Sequence, residues 1–209
     1  MTTINRVAFG LLVAGAAGLG ALAFRAAEGR AEKPTDLLAP TDISLFDLDA
    51  TWRDQSGAEL TLQQATRGRV AVVTMLYTNC AVACPRIVAD LKRIEGALSA
   101  DQRKKVTFVA ASMDPARDTP ERLAMWATDT HLDPAGWSVL TGTDDTVREL
   151  AAVLGVRYTV LEDGEIAHTN RIAVLDQAGA PVHRQFGLGD VGGVGETVSA
   201  VVATLGAAK

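Results

Sequence analysis

The chain predicts a mixed α/β sheet with helices on both faces, and three observations predict it. The runs Val70–Tyr77 and Val106–Ser112 are continuously apolar and rich in β-branched residues. Such runs mark strands buried on both faces, where an alternating pattern would mark half-exposed ones. Helical periodicity follows each run, so strands and helices alternate through the first two-thirds. The last third instead places the turn Gln177-Ala-Gly-Ala180 between Arg171–Asp176 and Val182–Phe186, an antiparallel hairpin.

Ahead of the first buried run, Ile43–Leu48 alternates large apolar with small or charged residues and reads as a short edge strand. Trp52–Gly57 is turn-rich, and Glu59–Leu62 reads as the return strand of an N-terminal hairpin extension. After Tyr77, residues Cys84, Ile87, Val88, Leu91, Ile94 and Leu98 recur at helical spacing, with Arg86, Asp90, Lys92 and Arg93 on the other side. Thr119–Thr130 is helical, with Thr119 as N-cap, Pro120 at the first position and Glu121 in the first turn. Trp137–Leu140 is a short strand. Asp144–Leu154 is a helix stopped by Gly155. Val156–Val160 reads as a strand, and a Gly-rich stretch leads to a closing helix over about Gly195–Leu205. The tryptophans Trp52, Trp126 and Trp137 read as packing anchors.

At 209 residues the chain suits one domain plus an appendage. A net charge of −5, with no basic stripe to follow phosphates, argues against a nucleic-acid partner. The N-terminus departs from globular composition. The eighteen residues Val7–Phe24 contain only Ala, Gly, Leu, Val and Phe, close to the ~20 needed to cross a bilayer. Ala21-Leu-Ala23 resembles a small-x-small cleavage site. Residues 1–24 are therefore expected to be a signal peptide or a membrane anchor. Residues 25–41 form a polar, Pro-containing tether, and 42–209 the folded domain. Either reading of the leader places that domain outside the cytoplasm.

The chain has two cysteines, in Tyr77-Thr-Asn-Cys80-Ala-Val-Ala-Cys84-Pro85. Residues four apart at a helix start lie on one face, roughly 5–6 Å apart at Cβ. Two thiolates so placed can close on one soft metal ion. They can also oxidise, since a disulfide tolerates Cα separations of about 4.4–6.8 Å. The pair leaves the carboxyl end of a central strand, where open α/β sheets place ligands. A helix dipole at Cys84 would favour its thiolate. A purely structural disulfide is the plain alternative, but so short a loop gives it little entropic value.

The cysteine string resembles the signature of the SCO/SenC copper-assembly proteins. Ser112-Met-Asp-Pro-Ala-Arg-Asp-Thr-Pro120, Leu150–Val156 and His168-Thr-Asn-Arg-Ile-Ala-Val-Leu-Asp176-Gln-Ala-Gly179 are similar to that family in the same order, over roughly 43–205. The resemblance implies a thioredoxin-like fold and copper bound through Cys80, Cys84 and His168. It further implies a metallochaperone, not an enzyme, that delivers the ion to a respiratory enzyme such as cytochrome c oxidase. A periplasmic copper donor or thiol reductant would serve it, on the periplasmic side of the inner membrane. Two thiolates and an imidazole suit Cu(I), with Cu(II) also compatible, whereas structural zinc usually wants a fourth protein ligand. His131, at a helix end, and His183, in the hairpin, read as surface or supporting residues.

The rival reading is a thiol–disulfide oxidoreductase that uses the redox pair Cys80 and Cys84 to reduce cysteines of a copper-site target. Three residues between the cysteines, against two in the thioredoxin pattern, make that reading less typical. Two positions depart from the family pattern. Ala81 stands where Pro often follows the first cysteine, and Ala167 stands where Asp often precedes the histidine, which removes a nearby carboxylate. Asp114, Arg117 and Asp118 read chiefly as a turn, an ion pair and a helix cap, with a supporting or docking role near the metal as the alternative.

Overall fold

The computed structural model describes residues 43–186 and 191–207. The expected leader 1–24, the tether 25–41 and part of the Gly-rich stretch lie outside the described residues. Nine strands are described: β1 Trp52–Asp54, β2 Glu59–Leu60, β3 Val70–Leu76, β4 Val106–Ser112, β5 Trp137–Thr141, β6 Tyr158–Val160, β7 Ile166–His168, β8 Arg171–Leu175 and β9 Pro181–Phe186. The helices are α1 Leu62–Thr66, α2 Ala83–Ala97, α3 Ala100–Arg103, α4 Pro120–Asp129, α5 Asp144–Leu154 and α6 Val191–Ala207.

Seven strands form one sheet in the order β2-β1-β5-β4-β3-β8-β9, while β6 and β7 pair separately. The core strands β3, β4 and β5 run parallel, and β8, β9 and the β1–β2 hairpin add antiparallel edges. The fold class is the expected mixed α/β sheet, thioredoxin-like. Every residue of β3, β4 and β5 is buried, which is why their sequences show no alternation. Phe108 and Trp137 stack in the core at 4.7 Å between centroids. Trp52 and Trp137 are fully buried, and Trp126 packs partly buried against the core.

Local caps explain the helix bounds. Thr119 Oγ1 accepts from the Arg122 amide ahead of Pro120, and Thr143 and Thr146 form a capping box for α5, which stops at Gly155 in the left-handed conformation. Three expectations fail. Ile43–Leu48 is not a strand but holds a 3-10 turn, Leu45–Asp47, capped by Ser44. The N-terminal hairpin is instead built from Trp52–Asp54 and Glu59–Leu60, and Leu62 opens the short helix α1. Asp90 does not lie on the solvated side of α2. It is buried, with an ion pair to Arg93 at 2.5 Å.

The 3-10 turn is held by a distant loop. Leu45 N–H donates to the Gly179 carbonyl at 2.9 Å, and Ser44 Oγ donates to the Ala178 carbonyl at 2.6 Å. Gly179 sits at φ +82°, and a Cβ there would lie 2.6 Å from both Phe46 Cγ and Ser44 Oγ. Gly179→Ala combines left-handed strain of ~1–2 kcal/mol with overpacking of ~1–3 kcal/mol. Denaturant unfolding should show a loss of about 2–4 kcal/mol. A change within about 0.5 kcal/mol, as at an ordinary surface position, would refute this account of the turn.

Candidate metal centre

The chain leaves the carboxyl end of β3 through Tyr77 and Thr78, and Thr78 is fixed on both its backbone and its side chain. Its N–H and Oγ1 both donate to the Asp118 carboxylate, at 3.1 and 2.5 Å. Asp118 is completely buried and also accepts from Ser112 Oγ, at the end of β4, at 2.5 Å. It thus ties the start of the cysteine loop to the neighbouring strand. Asp114 pairs with Arg117 and Thr119 caps α4, both as expected.

Cys80 is half-buried in this loop, and Cys84 is buried in the first turn of α2; both are free thiols. The Cys84 N–H donates to Cys80 Sγ at 3.2 Å. Burial pushes the Cys80 thiol up, but hydrogen bonds from the Cys84 backbone, the Cys84 side chain and the backbone of Val82 and Ala83 outweigh it, and the net shift is downward. Burial pushes the Cys84 thiol well above its ordinary range, against a hydrogen bond from the Tyr77 backbone, with Cys80 and Asp118 adding to the rise. The expectation of a dipole-stabilised thiolate at Cys84 is therefore corrected. The amides at the helix start converge on the preceding cysteine, and the helical one is held in an apolar setting. Iodoacetamide at mildly alkaline pH should label Cys80 well before Cys84, as peptide mass mapping would show; equal or inverted labelling would contradict the asymmetry.

His168 arrives from the other part of the molecule. It ends β7, and the β6–β7 ribbon turns at Asp163-Gly164, with Gly164 at φ +81°. Tyr77 Oη donates to Glu165 Oε2 at 2.8 Å and accepts from the Ile166 amide at 3.4 Å. Arg117, paired to Asp114, also donates to the Gly164 carbonyl. These bonds fasten the ribbon to the cysteine side. The His168 ring stands edge-on to Tyr77 at 5.9 Å between centroids. Burial pulls its pKa down, partly offset by the Thr169 backbone carbonyl, so the neutral, metal-competent imidazole is favoured.

The outcome is a cluster. One ligand atom each from Cys80, Cys84 and His168 lies within 4.8 Å of the other two. Metal bonds of ~2.0–2.3 Å let one ion bridge atoms roughly 4.6 Å apart, so little adjustment is needed. Cys80 and His168 border a hollow of about 360 Å³ that Tyr77, Val82, Glu165 and Asn170 also line, with Cys84 buried behind it. His131 is exposed beyond the end of α4, and His183 is half-buried in β9 near Thr197 Oγ1 at 3.4 Å; neither belongs to the cluster. Ala81 is exposed in the loop. Ala167 is exposed too, and strand alternation turns it to the other face from His168. The carboxylate lining the hollow is instead Glu165.

Tyr77, Glu165 and Asn170 were not singled out by the sequence, and neither was β7. The Asp163-Gly164 turn behind the predicted strand Val156–Val160 is the signal that finds the ribbon.

A profile of the SCO1/SenC family matches residues 46–192. A candidate copper-binding protein of Stutzerimonas stutzeri is 26% identical over 148 residues, covering 69% of this chain and 70% of its own. The crystal structure of yeast Sco1 with copper bound superposes with a TM-score of 0.62 at 22% identity, covering 77% of this chain and 88% of that one. BsSco, described as carrying a disulfide switch and as a member of the Sco family of cytochrome c oxidase assembly proteins, superposes at 0.66 with 21% identity, covering 79% and 95%. At these identities the two solved structures establish the shared fold.

Proposed function

This chain belongs to the SCO1/SenC family, and we propose that it is a copper metallochaperone that holds its cargo on Cys80, Cys84 and His168. The observation that carries the reading is the convergence of two sulfurs and one imidazole nitrogen within 4.8 Å from segments far apart in sequence. Two soft ligands and an imidazole favour copper over the oxygen-seeking metals. With Cys80 and His168 lining an open hollow, a three-ligand set leaves one side free for an incoming ligand. Copper can then pass to an acceptor by exchange of one ligand at a time, without release as a free ion. The acceptor is a respiratory copper enzyme such as cytochrome c oxidase. The apolar N-terminal run supports export, with the domain on the periplasmic side, anchored or released, and supplied there by a copper donor or a thiol reductant.

One observation favours a second reading as a thiol–disulfide oxidoreductase. The thiols are unequal: Cys80 is accessible with a lowered pKa and Cys84 is buried with a raised one, the arrangement of an attacking and a resolving cysteine. His168→Ala separates the two. For a metallochaperone, copper retention drops by more than the ~10–100-fold that loss of a supporting partner costs, while the thiol pair still cycles. Unchanged copper affinity with lost reductase activity would transfer the assignment to the enzyme.

A further inference from the structure

The parallel strands have a second end. Opposite the cysteine loop, the segments entering β3, β4 and β5 surround an open hollow of about 730 Å³, lined among others by Arg69, Lys92, Arg103, Lys104 and His131. The chain as a whole is acidic, at −5, so this concentration of cations is not its average surface. Two guanidiniums converge on one backbone oxygen there. Arg69 Nη1 and Nη2 donate to the Ala135 carbonyl at 3.1 and 3.2 Å, and Arg67 Nη1 donates to the same oxygen at 3.3 Å. Like charges so placed repel. Burial and the nearby Arg67 charge both lower the Arg69 pKa.

No carboxylate among the described residues lies within ion-pair distance of either guanidinium. The ion pairs among the described residues are Asp90–Arg93, Asp101–Lys104, Asp114–Arg117 and Asp145–Arg148, so Arg67, Arg69, Lys92 and Arg103 have no acidic partner among them. The two carboxylates that line the hollow each bond to a neutral donor. Glu95 accepts from Trp137 Nε1 at 3.2 Å, and Asp133 accepts from the Ala135 amide at 2.9 Å. Backbone geometry adds to this. Arg67 and His131 are the described non-glycine residues at positive φ, both 54°, each just past a helix end where glycine would carry no strain. Both border this hollow or bond to its wall.

We propose that this cleft binds a phosphate-bearing anion, with the Arg67–Arg69 pair as its fork and Lys92 and Arg103 at its margins. Planar guanidiniums match the spacing of phosphate oxygens, and an incoming dianion removes the repulsion that the carbonyl alone leaves in place. The source of the phosphate is either a small soluble ion or the headgroup of an anionic lipid. With strands of seven residues between them, the cleft and the thiol pair stand roughly 20 Å apart, so the two sites load independently.

The test titrates the full chain with inorganic phosphate by calorimetry at low ionic strength. In parallel it measures cosedimentation with phosphatidylglycerol vesicles and with phosphatidylcholine vesicles. The variants are Arg69→Gln, the exposed pair Arg67→Gln with Arg103→Gln, and Arg148→Gln as a cation outside the cleft. The expected result is saturable binding of phosphate, of phosphatidylglycerol vesicles, or of both. It weakens at least tenfold in the two cleft variants, holds in Arg148→Gln, and leaves copper retention the same in every protein. Binding to the vesicles alone assigns the headgroup, and binding to the free ion assigns a soluble phosphate. Absence of both, or equal binding across all variants, overturns the proposal without touching the thiol site.

Discussion

Protein carrying Cys80→Ser together with Cys84→Ser, purified and exposed to one equivalent of copper, retains none of it through dialysis against a competing chelator. Each single replacement already lowers affinity by more than the ~10–100-fold typical of an outer partner, because a thiolate hydroxyl swap exchanges a soft donor for a hard one. The singles are not equivalent. Cys80 supplies the more acidic thiol, so its loss removes the sulfur most ready to meet the ion at neutral pH. Loss of Cys84 removes a donor whose deprotonation only the metal itself makes favourable. Copper and protein quantified on the same sample decide the matter: tight one-to-one copper in the double variant would end the carrier reading. Circular dichroism of the variants confirms that the fold survives, since the sulfurs are not bonded to one another.

Asp118→Ala is the second large effect, and it falls on stability and site together. The carboxylate is completely buried and satisfies the Thr78 amide and the hydroxyls of Thr78 and Ser112. Removing it leaves buried donors without an acceptor, at ~1–3 kcal/mol each, although the hydroxyls can turn to other partners. A total of about 3 kcal/mol is expected, equivalent to a Tm lower by roughly 6–12 °C. Because Thr78 opens the cysteine loop, copper retention should fall in the variant even where it is folded. Asp118→Asn, which keeps the shape and one acceptor, should recover part of both losses. A stability change below about 1 kcal/mol would mean that the loop is held by something else.

How far the sequence reveals these features depends on how local their causes are. The run Asp144–Leu154 shows its cap, its periodicity and its terminating glycine within a dozen residues, and the helix occupies that span. The strands β3 and β4 are equally plain, since burial on both faces leaves an unmistakable composition. By contrast, Leu45–Asp47 adopts its turn because it rests on Gly179, a partner 134 residues away at the Leu45–Gly179 contact. Its alternating side chains imitate a strand. Helix α1 is too short, at five residues, to display a period.

The site divides along the same line. Two cysteines four apart announce themselves, whereas His168 stands out only through the family resemblance. Its position depends on Tyr77 reaching Glu165, a hydrogen bond spanning 88 residues that no window of sequence contains. Nor does spacing reveal which sulfur the helix amides serve. That follows from the loop folding back so that Cys80 Sγ meets the Cys84 amide.

The separation of β6–β7 from the seven-stranded sheet has a mechanical consequence. The sulfurs sit on the loop after β3 and the first turn of α2, and the imidazole rides on a separate ribbon held to the core by Ile166, Tyr158 and a few polar contacts. Withdrawing that one donor requires the ribbon to shift, with Ile166 leaving its buried seat, while the pairing of the seven-stranded sheet is untouched. On the metallochaperone reading, departure of the cargo would begin at its nitrogen and finish at its sulfurs, with the sheet unchanged from the first event to the last.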